Sequence, residues 1–472
     1  MSPEAAAAQP RRRLALAIML VAVILLELAA RLTGQHQVQT LAWLAMAGVV
    51  VLNLRGLGMR EIYLLTLCSA LAVLILIRMP EPMLELGPAL DQASFLMTFI
   101  LLMSLLFETA ARSPSIAACG VYLTSQPPGR RYYALNAGTG ILAVMFNLGV
   151  VSFLVPLIQR GIASATPGDA LNDIRERRQV SALLRGFAWS VTWSPTALAP
   201  LAVAELIPGV DRLLWIEYGL AVFVLIMVLG AFEDRWRFRR FRPSGVRRET
   251  PFPLTEALLF LAACAWLFGM IALIVWLSGD GVVFGLLLAC PFMVVGWLAV
   301  QGGFPRPGWI APLRGEMRKI VVVGLPRTAS VAITLATSGF IGRAAAGQVP
   351  AEQLAAFLQL DAMPDFVFLS LIPPALSLFS LLALSPIMMA VFFGSLFAAL
   401  PVLPADPTLI AFAISCGWAL SMTFSPFATV VLMVERVAGI PTRRLTWVWN
   451  IGFTLLASLS LVGVFALLTG GT

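Results

Sequence analysis

Long apolar runs separated by short, arginine-bearing connections constrain this chain more than any other feature. A helix needs about 20 apolar residues to cross the hydrocarbon core of a bilayer. Runs near that length recur at 14–32, 40–54, 61–78, 93–111, 181–207, 214–233, 254–277, 282–300, 327–343, 407–435 and 445–468. In lipid every backbone polar group must be satisfied inside the segment, so runs of this kind fold as helices. The short alternating segments of a membrane β-barrel are not what the sequence shows. Composition agrees with the runs. Residues are 60% hydrophobic and 12% charged, against about 25% charged in a soluble domain. That excludes a large soluble enzyme, and high hydrophobicity excludes a disordered chain. The fold class expected is an all-α polytopic membrane protein of about eleven transmembrane helices.

Charge orients the spans, because cytoplasmic loops carry an excess of Lys and Arg. The segment 234–249, DRWRFRRFRPSGVRRE, is the strongest basic marker. Walking outward from it, the apolar stretch 134–160 has Arg130 and Arg131 before it and Arg160, Arg175, Arg177 and Arg178 after it. Basic flanks on both sides make it a re-entrant hairpin with both ends in the cytoplasm. The stretch 366–398 is flanked by Glu352, Asp361 and Asp365 before and by Asp406 after. It reads as a second hairpin entering from the opposite face. All 32 Lys/Arg except Arg31, Arg78, Arg212 and Arg343 then fall inside, with the amino terminus cytoplasmic and the carboxyl terminus outside. The run after Arg11, Arg12 and Arg13 reads as a retained first helix, since no small-residue cleavage site follows ELAARLTGQHQ.

The chain also repeats itself. Residues 186–197 read GFAWSVTWSPTA and residues 417–428 read GWALSMTFSPFA. At a constant offset of 231, Gly186/Gly417, Ala188/Ala419, Ser190/Ser421, Thr192/Thr423, Ser194/Ser425, Pro195/Pro426 and Ala197/Ala428 are identical. On the topology above, the two copies run in opposite directions. Proline inside a helix removes a hydrogen bond and clashes with the preceding turn, and Ser and Thr beside it compete for backbone groups. Backbone freed at membrane depth lines a polar cavity or is covered by protein. Inverted repeats with broken helices mark secondary transporters. Freed carbonyls and hydroxyls suit a small cation, and helix amino-termini suit an anion. The domains expected are an extra helix at 1–35, a first repeat at 36–233 with hairpin 134–160 and broken helix 181–207, a basic linker at 234–252, and a second repeat at 253–472 with hairpin 366–398 and broken helix 407–435.

Rare residues remove other chemistries. His36 is the single histidine and Lys319 the single lysine; Cys68, Cys119, Cys264, Cys290 and Cys416 lie in or beside apolar stretches. No metal-ligand spacing exists, histidine-based catalysis is excluded, and neither GxxxxGK[ST] nor GxGxxG occurs. The chain is read as not an enzyme and as having no nucleic-acid partner; its positive charge is matched to anionic lipid. Glu27, Glu108, Glu205 and Glu435 read as span-end carboxylates, with Glu108 placed to pair with Arg112. Trp189 and Trp193 read as packing residues. Segments 113–133, 163–180 and 344–365 read as amphipathic arms.

The arrangement resembles the ion transporter superfamily, which includes divalent anion/sodium symporters, citrate transporters and arsenite permease-like proteins. Hairpin tips of the symporters carry Ser-Asn-Thr with a proline nine residues after the Asn. Here MFNLGVVSFLVP holds Asn147 and Pro156 at that spacing, with Phe146 and Leu148 in place of Ser and Thr. In the second hairpin, LFSLLALSP, Ser380 stands where Asn would be. The resemblance implies substrate or ion contacts for Asn147, Thr192, Ser194, Pro195, Ser380, Thr423, Ser425 and Pro426. It implies a small-molecule anion as solute, a sodium ion as the one metal expected, an elevator-like motion in a bacterial-type inner membrane, and a scaffold that dimerises. The sequence leaves open sodium or proton coupling, a cation/proton antiporter of the same fold, and a membrane-embedded enzyme acting on lipid-linked substrates.

Overall fold

The structure is a computed structural model and describes residues 3–110, 113–241 and 251–471. Arg112 and residues 242–250 of the basic linker therefore lie outside the described residues. Among those described, every regular element is a helix. Eleven helices are long and apolar enough to cross a membrane, so the chain is an all-α polytopic membrane protein. The set differs from the sequence reading in one exchange. The run 181–207 is divided into Asn172–Ser190 and Leu198–Leu206, while Asp365–Leu382, read from sequence as half of a hairpin, qualifies by length and composition.

The chain divides into two compact units, and each draws on both halves of the sequence. The first holds Met1–Ile116 and Leu258–Ala345; the second holds Ala117–Ala257 and Ala346–Thr472. In the first, Pro3–Thr33 and His36–Asn53 pack together and against Met83–Ala110, which in turn packs on Val282–Gln301. Its buried residues include Leu20, Phe95, Leu96, Phe99 and Met293. Glu27 departs from the span-end expectation: it is 2% exposed. Its carboxylate is held by Arg31, by Gln39 Nε2 at 3.2 Å and by a short bond from Ser94 Oγ. Depth along a span does not set solvation here; the neighbouring helices do, since a buried charge must be paired.

The second unit contains two hairpins and two interrupted helices, together with the long helices Arg212–Arg237 and Ile451–Leu468. The stretch 134–160 is not one span: Pro128–Phe146 ends at Asn147 and Gly149–Ala165 leads back. The stretch 366–398 likewise divides into Asp365–Phe379, a short turn beginning at Ser380, and Pro386–Ala398. Both tips contain a non-glycine residue with positive φ, Asn147 at 46° and Ala383 at 61°. Each proximal arm packs along the interrupted helix that follows it in sequence. The matched glycines make this approach possible. A Cβ on Gly186 would lie 2.1 Å from the carbonyl oxygen of Asn136, and one on Gly417 would lie 2.9 Å from Leu376 Cβ and 3.1 Å from Pro373 Cα. Small residues at such crossings let helix backbones come close in the absence of a hydrophobic drive between helices.

Candidate functional site

The two S-x-T-x-S-P copies produce the same local structure. Asn172–Ser190 and Pro407–Phe424 each stop within this motif, and the chain resumes as Leu198–Leu206 and Thr429–Ala438. In both breaks the serine before proline makes one last helical bond: Ser194 N–H donates to Ser190 O at 2.9 Å and Ser425 N–H to Ser421 O at 2.8 Å. A turn follows, in which Ala197 N–H donates to Ser194 O at 3.1 Å and Ala428 N–H to Ser425 O at 3.2 Å. Pro195 and Pro426 occupy the second position of these turns, where a fixed φ is favourable and no N–H is needed. The motif therefore interrupts a helix by replacing one turn of it with a β-turn.

Each break is tied to the tip of its own hairpin. A helix end leaves carbonyl oxygens without intrahelical donors, and the break supplies hydroxyls for them. In the first half Thr196 Oγ1 donates to Val144 O at 2.5 Å, while Ser194 Oγ lies 3.1 Å from Thr196 Oγ1. In the second half Ser425 Oγ donates straight to Ser380 O at 2.9 Å. The distal arms cross over. Gly149–Ala165 packs on Thr429–Ala438, the helix beyond the second break, and Pro386–Ala398 packs on Leu198–Leu206, beyond the first. Gln159 Nε2 donates to Ala438 O at 3.0 Å and Ser152 Oγ lies 2.9 Å from Met433 Sδ; Leu206 Cδ1 lies 3.2 Å from the place of a Cβ on Gly394. The interrupted helices pack directly on each other. Hairpins and breaks thus interlock reciprocally within the second unit.

The structure brings together Ser380 and Ser425 by a direct bond, and places Asn147 three residues beyond the carbonyl that Thr196 caps. Asn147 uses its own carboxamide locally, accepting from Leu148 N–H at 2.8 Å. Thr192 and Thr423 are both fully buried and make the same bond one turn back, to Trp189 O at 2.8 Å and Leu420 O at 3.0 Å. Thr423 Oγ1 also accepts from Thr454 Oγ1 at 2.9 Å. Ser380 Oγ donates to Ser377 O at 2.6 Å. The unit therefore gathers two proline turns, two hairpin tips and a set of buried hydroxyls whose present partners are backbone groups and one another. Oxygen-rich, helix-broken sites of this kind suit small ions and polar solutes.

Thr196 and a buried ionic cluster are not marked by the sequence reading. Arg185, nine residues before Ser194, is 3% exposed and pairs with Glu233 at 3.0 Å. Its Nε donates to Asn450 Oδ1 at 2.9 Å and its guanidinium lies 4.1 Å from the centre of the Phe453 ring. Arg237 also pairs with Glu233, at 2.9 Å, and Arg178 with Asp234, at 2.7 Å. Arg177 Nη2 and Arg237 Nη1 reach the carbonyls of Val448 and Trp449, at 2.9 and 3.2 Å, in the π-helical segment Arg444–Asn450. The signal was present: an arginine inside an apolar run marks a built polar site.

No protein-family model matches the sequence, and no curated protein matches it. Solved structures do. The YdaH transporter of Alcanivorax borkumensis aligns over 88% of this chain and 98% of its own, at 15% identity and a TM-score of 0.53. MtrF of Neisseria gonorrhoeae, described as illuminating a class of antimetabolite efflux pumps, aligns over 87% of this chain and 94% of its own, at 11% identity and a TM-score of 0.52. At these identities the likeness is one of fold, and it extends over nearly the whole chain.

Proposed function

We propose that this chain is a secondary active transporter that moves a small anionic solute across the cytoplasmic membrane, coupled to a cation, by alternating access. The observation that carries the reading is the reciprocal interlock of hairpins and proline turns in one compact unit. Alternating access requires two discrete packings of such a unit, and the hydroxyl–carbonyl bonds between breaks and hairpin tips are contacts that would exchange between them. Membership of the ion transporter superfamily, two inverted repeats with hairpins of opposite orientation, an elevator-like motion, a cytoplasmic amino terminus and a dimeric scaffold belong to this proposal. So do the assignments of Asn147, Thr192, Ser194, Ser380, Thr423 and Ser425 as ion and substrate contacts, with Pro195 and Pro426 shaping the breaks. The two similar solved structures are a transporter and a member of an efflux-pump class, which supports transport over catalysis on lipid-linked substrates.

A second reading, a cation/proton antiporter of the same fold, is favoured by one observation, the buried carboxylate of Glu233. Thermal unfolding of the purified protein against an anion panel, in sodium or in choline, separates the two. A ligand that binds the folded state raises its midpoint by mass action. A rise with one anion class that requires sodium, and that falls in Ser425→Ala and Thr196→Val, is the expected result. A response to sodium or pH alone, with none to any anion, overturns the anion reading in favour of the antiporter.

A further inference from the structure

The longest basic connection of the first unit does more than join two helices. Val282–Gln301 is long and apolar enough to span, and residues 302–309 follow it as an irregular loop, turned by Gly303 and Gly308 at φ 96° and 92°. The loop leads into Ile310–Lys319, a helix with no buried residue. Loop and helix border an open, shallow cleft of about 670 Å³ lined by Arg306, Trp309, Ile310, Arg314, Gly315 and Arg318, among others. Arg314 and Arg318 are four apart and share a helix face; Arg306 reaches the same cleft from the loop. Among the described residues no ion pair engages these three guanidiniums. The carboxylate of Glu316, on the same helix, is held by Lys319 at 2.7 Å.

We propose that this cleft binds a phosphate-ester anion, and that the anion is presented by a membrane lipid headgroup. Guanidinium matches phosphate with paired donors in a planar fork, and three of them around one cleft exceed what solubility requires. Apolar neighbours favour the lipid over a free phosphate. Phe304 and Ile310 are 54% and 59% exposed, and the Phe304 ring meets Trp309 edge-on at 5.2 Å. Exposed aromatic and aliphatic side chains beside arginines, on the connection between two spans, are the composition of an interfacial anchor. A Cβ on Gly315 would meet nothing within 4 Å, so the cleft has room beside the arginines for a headgroup. The first unit would then carry a lipid-bound brace on the connection between two of its spans, independent of whichever solute the second unit takes.

The test uses the full-length protein in zwitterionic micelles, titrated with phosphatidylglycerol. The readouts are thermal unfolding and the count of retained lipids by native mass spectrometry. Arg306→Gln/Arg314→Gln/Arg318→Gln is the site variant, and all three residues are exposed, so folding is expected to survive. Arg235→Gln/Arg239→Gln/Arg240→Gln removes equal charge from exposed positions elsewhere. At about a factor of five per arginine near an anionic surface, the site variant is expected to weaken phosphatidylglycerol binding roughly a hundredfold, and the control variant, on a basic segment that also faces anionic lipid but lines no cleft, to weaken it by a clearly smaller factor. Equal losses in both variants, or none in the site variant, overturn the proposal. Inorganic phosphate at millimolar concentration is the third arm. Failure to reproduce the lipid's effect supports a headgroup, and full reproduction overturns the lipid assignment in favour of a soluble anion.

Discussion

The two interrupted helices share a backbone plan and differ in what surrounds it. Seven residues coincide at the offset of 231, the turns coincide bond for bond, and both helices are pressed against a hairpin arm through a matched glycine. The first copy carries a charge and places its aromatic residues differently: Arg185, Trp189 and Trp193 stand where the second has Cys416, Leu420 and Phe424. The first reaches its hairpin through Thr196, whose counterpart Phe427 has no hydroxyl, so the second reaches its hairpin through Ser425 directly. The difference teaches that the repeat specifies the break itself, a local event of proline and serine chemistry, while each copy has its own means of fixing the break to the fold.

The sharpest way to break the comparison is to give the first copy the composition of the second. Arg185→Cys leaves the carboxylate of Glu233 buried beside Arg237 alone. Removing one partner of a buried pair costs about 3–5 kcal/mol, and a loss in that range is expected in denaturant or thermal unfolding of the purified protein. Val464 stands at the offset from Glu233, so Arg185→Cys/Glu233→Val completes the exchange. Removing both charges is expected to recover much of the loss, because an apolar pair needs no desolvated ions. A double variant as unstable as the sum of the singles would mean that Arg185 acts mainly through Asn450 and Phe453, not through Glu233.

A smaller effect sharpens the matched part of the comparison. Gly186→Ala sets a methyl group 2.1 Å from a backbone oxygen, whereas Gly417→Ala meets side-chain and Cα atoms at 2.9 and 3.1 Å. Overpacking of a close helix crossing costs about 1–3 kcal/mol. Gly186→Ala is expected at or above the upper end and Gly417→Ala nearer the lower, read as unfolding midpoints. Equal effects would mean that the hairpin arms yield alike and that the first copy is not the more tightly clamped.

The sequence made local and periodic features legible and left tertiary ones hidden. Broken helices followed from Pro195 and Pro426, because a proline's effect on a helix depends on its own neighbours. The breaks within 134–160 and 366–398 were expected from flanking charge and are present at Asn147 and in the segment from Ser380. Thr196 is hidden from a comparison of the two copies, which marks only shared residues, because its counterpart is Phe427. Arg185 and Glu233 lie on different helices, so nothing in the spacing of either announces the other. Glu27 was placed by its distance from a span end, yet its surroundings are set by Gln39 and Ser94 on other helices. At Asp365–Leu382 length alone admits a crossing, and only the following turn makes it the arm of a hairpin.

The smallest effect concerns the two hairpin tips and tests whether a positive φ means the same thing in both. Ala383 lies in the left-handed region at φ 61°, ψ 11°, which costs a residue with a Cβ roughly 1–2 kcal/mol. Ala383→Gly relieves that and pays about 0.5–1 kcal/mol in chain entropy, so a gain of about 0.5 kcal/mol is expected. Asn147, at φ 46° and ψ −133°, carries a second role, since its Oδ1 accepts from Leu148 N–H. Asn147→Gly relieves strain of a different kind, since this backbone lies outside the left-handed region and costs about 1–3 kcal/mol, but it pays the same chain entropy and forfeits a bond worth about 0.5–1.5 kcal/mol; no gain, or a small loss, is expected. Unfolding midpoints of the two variants measured side by side decide the matter. A gain for both would reduce Asn147 to a strained residue with a dispensable side chain. A loss for Asn147→Gly alone would place the side chain's value in holding the tip, which is where a solute-contacting role for it would have to begin.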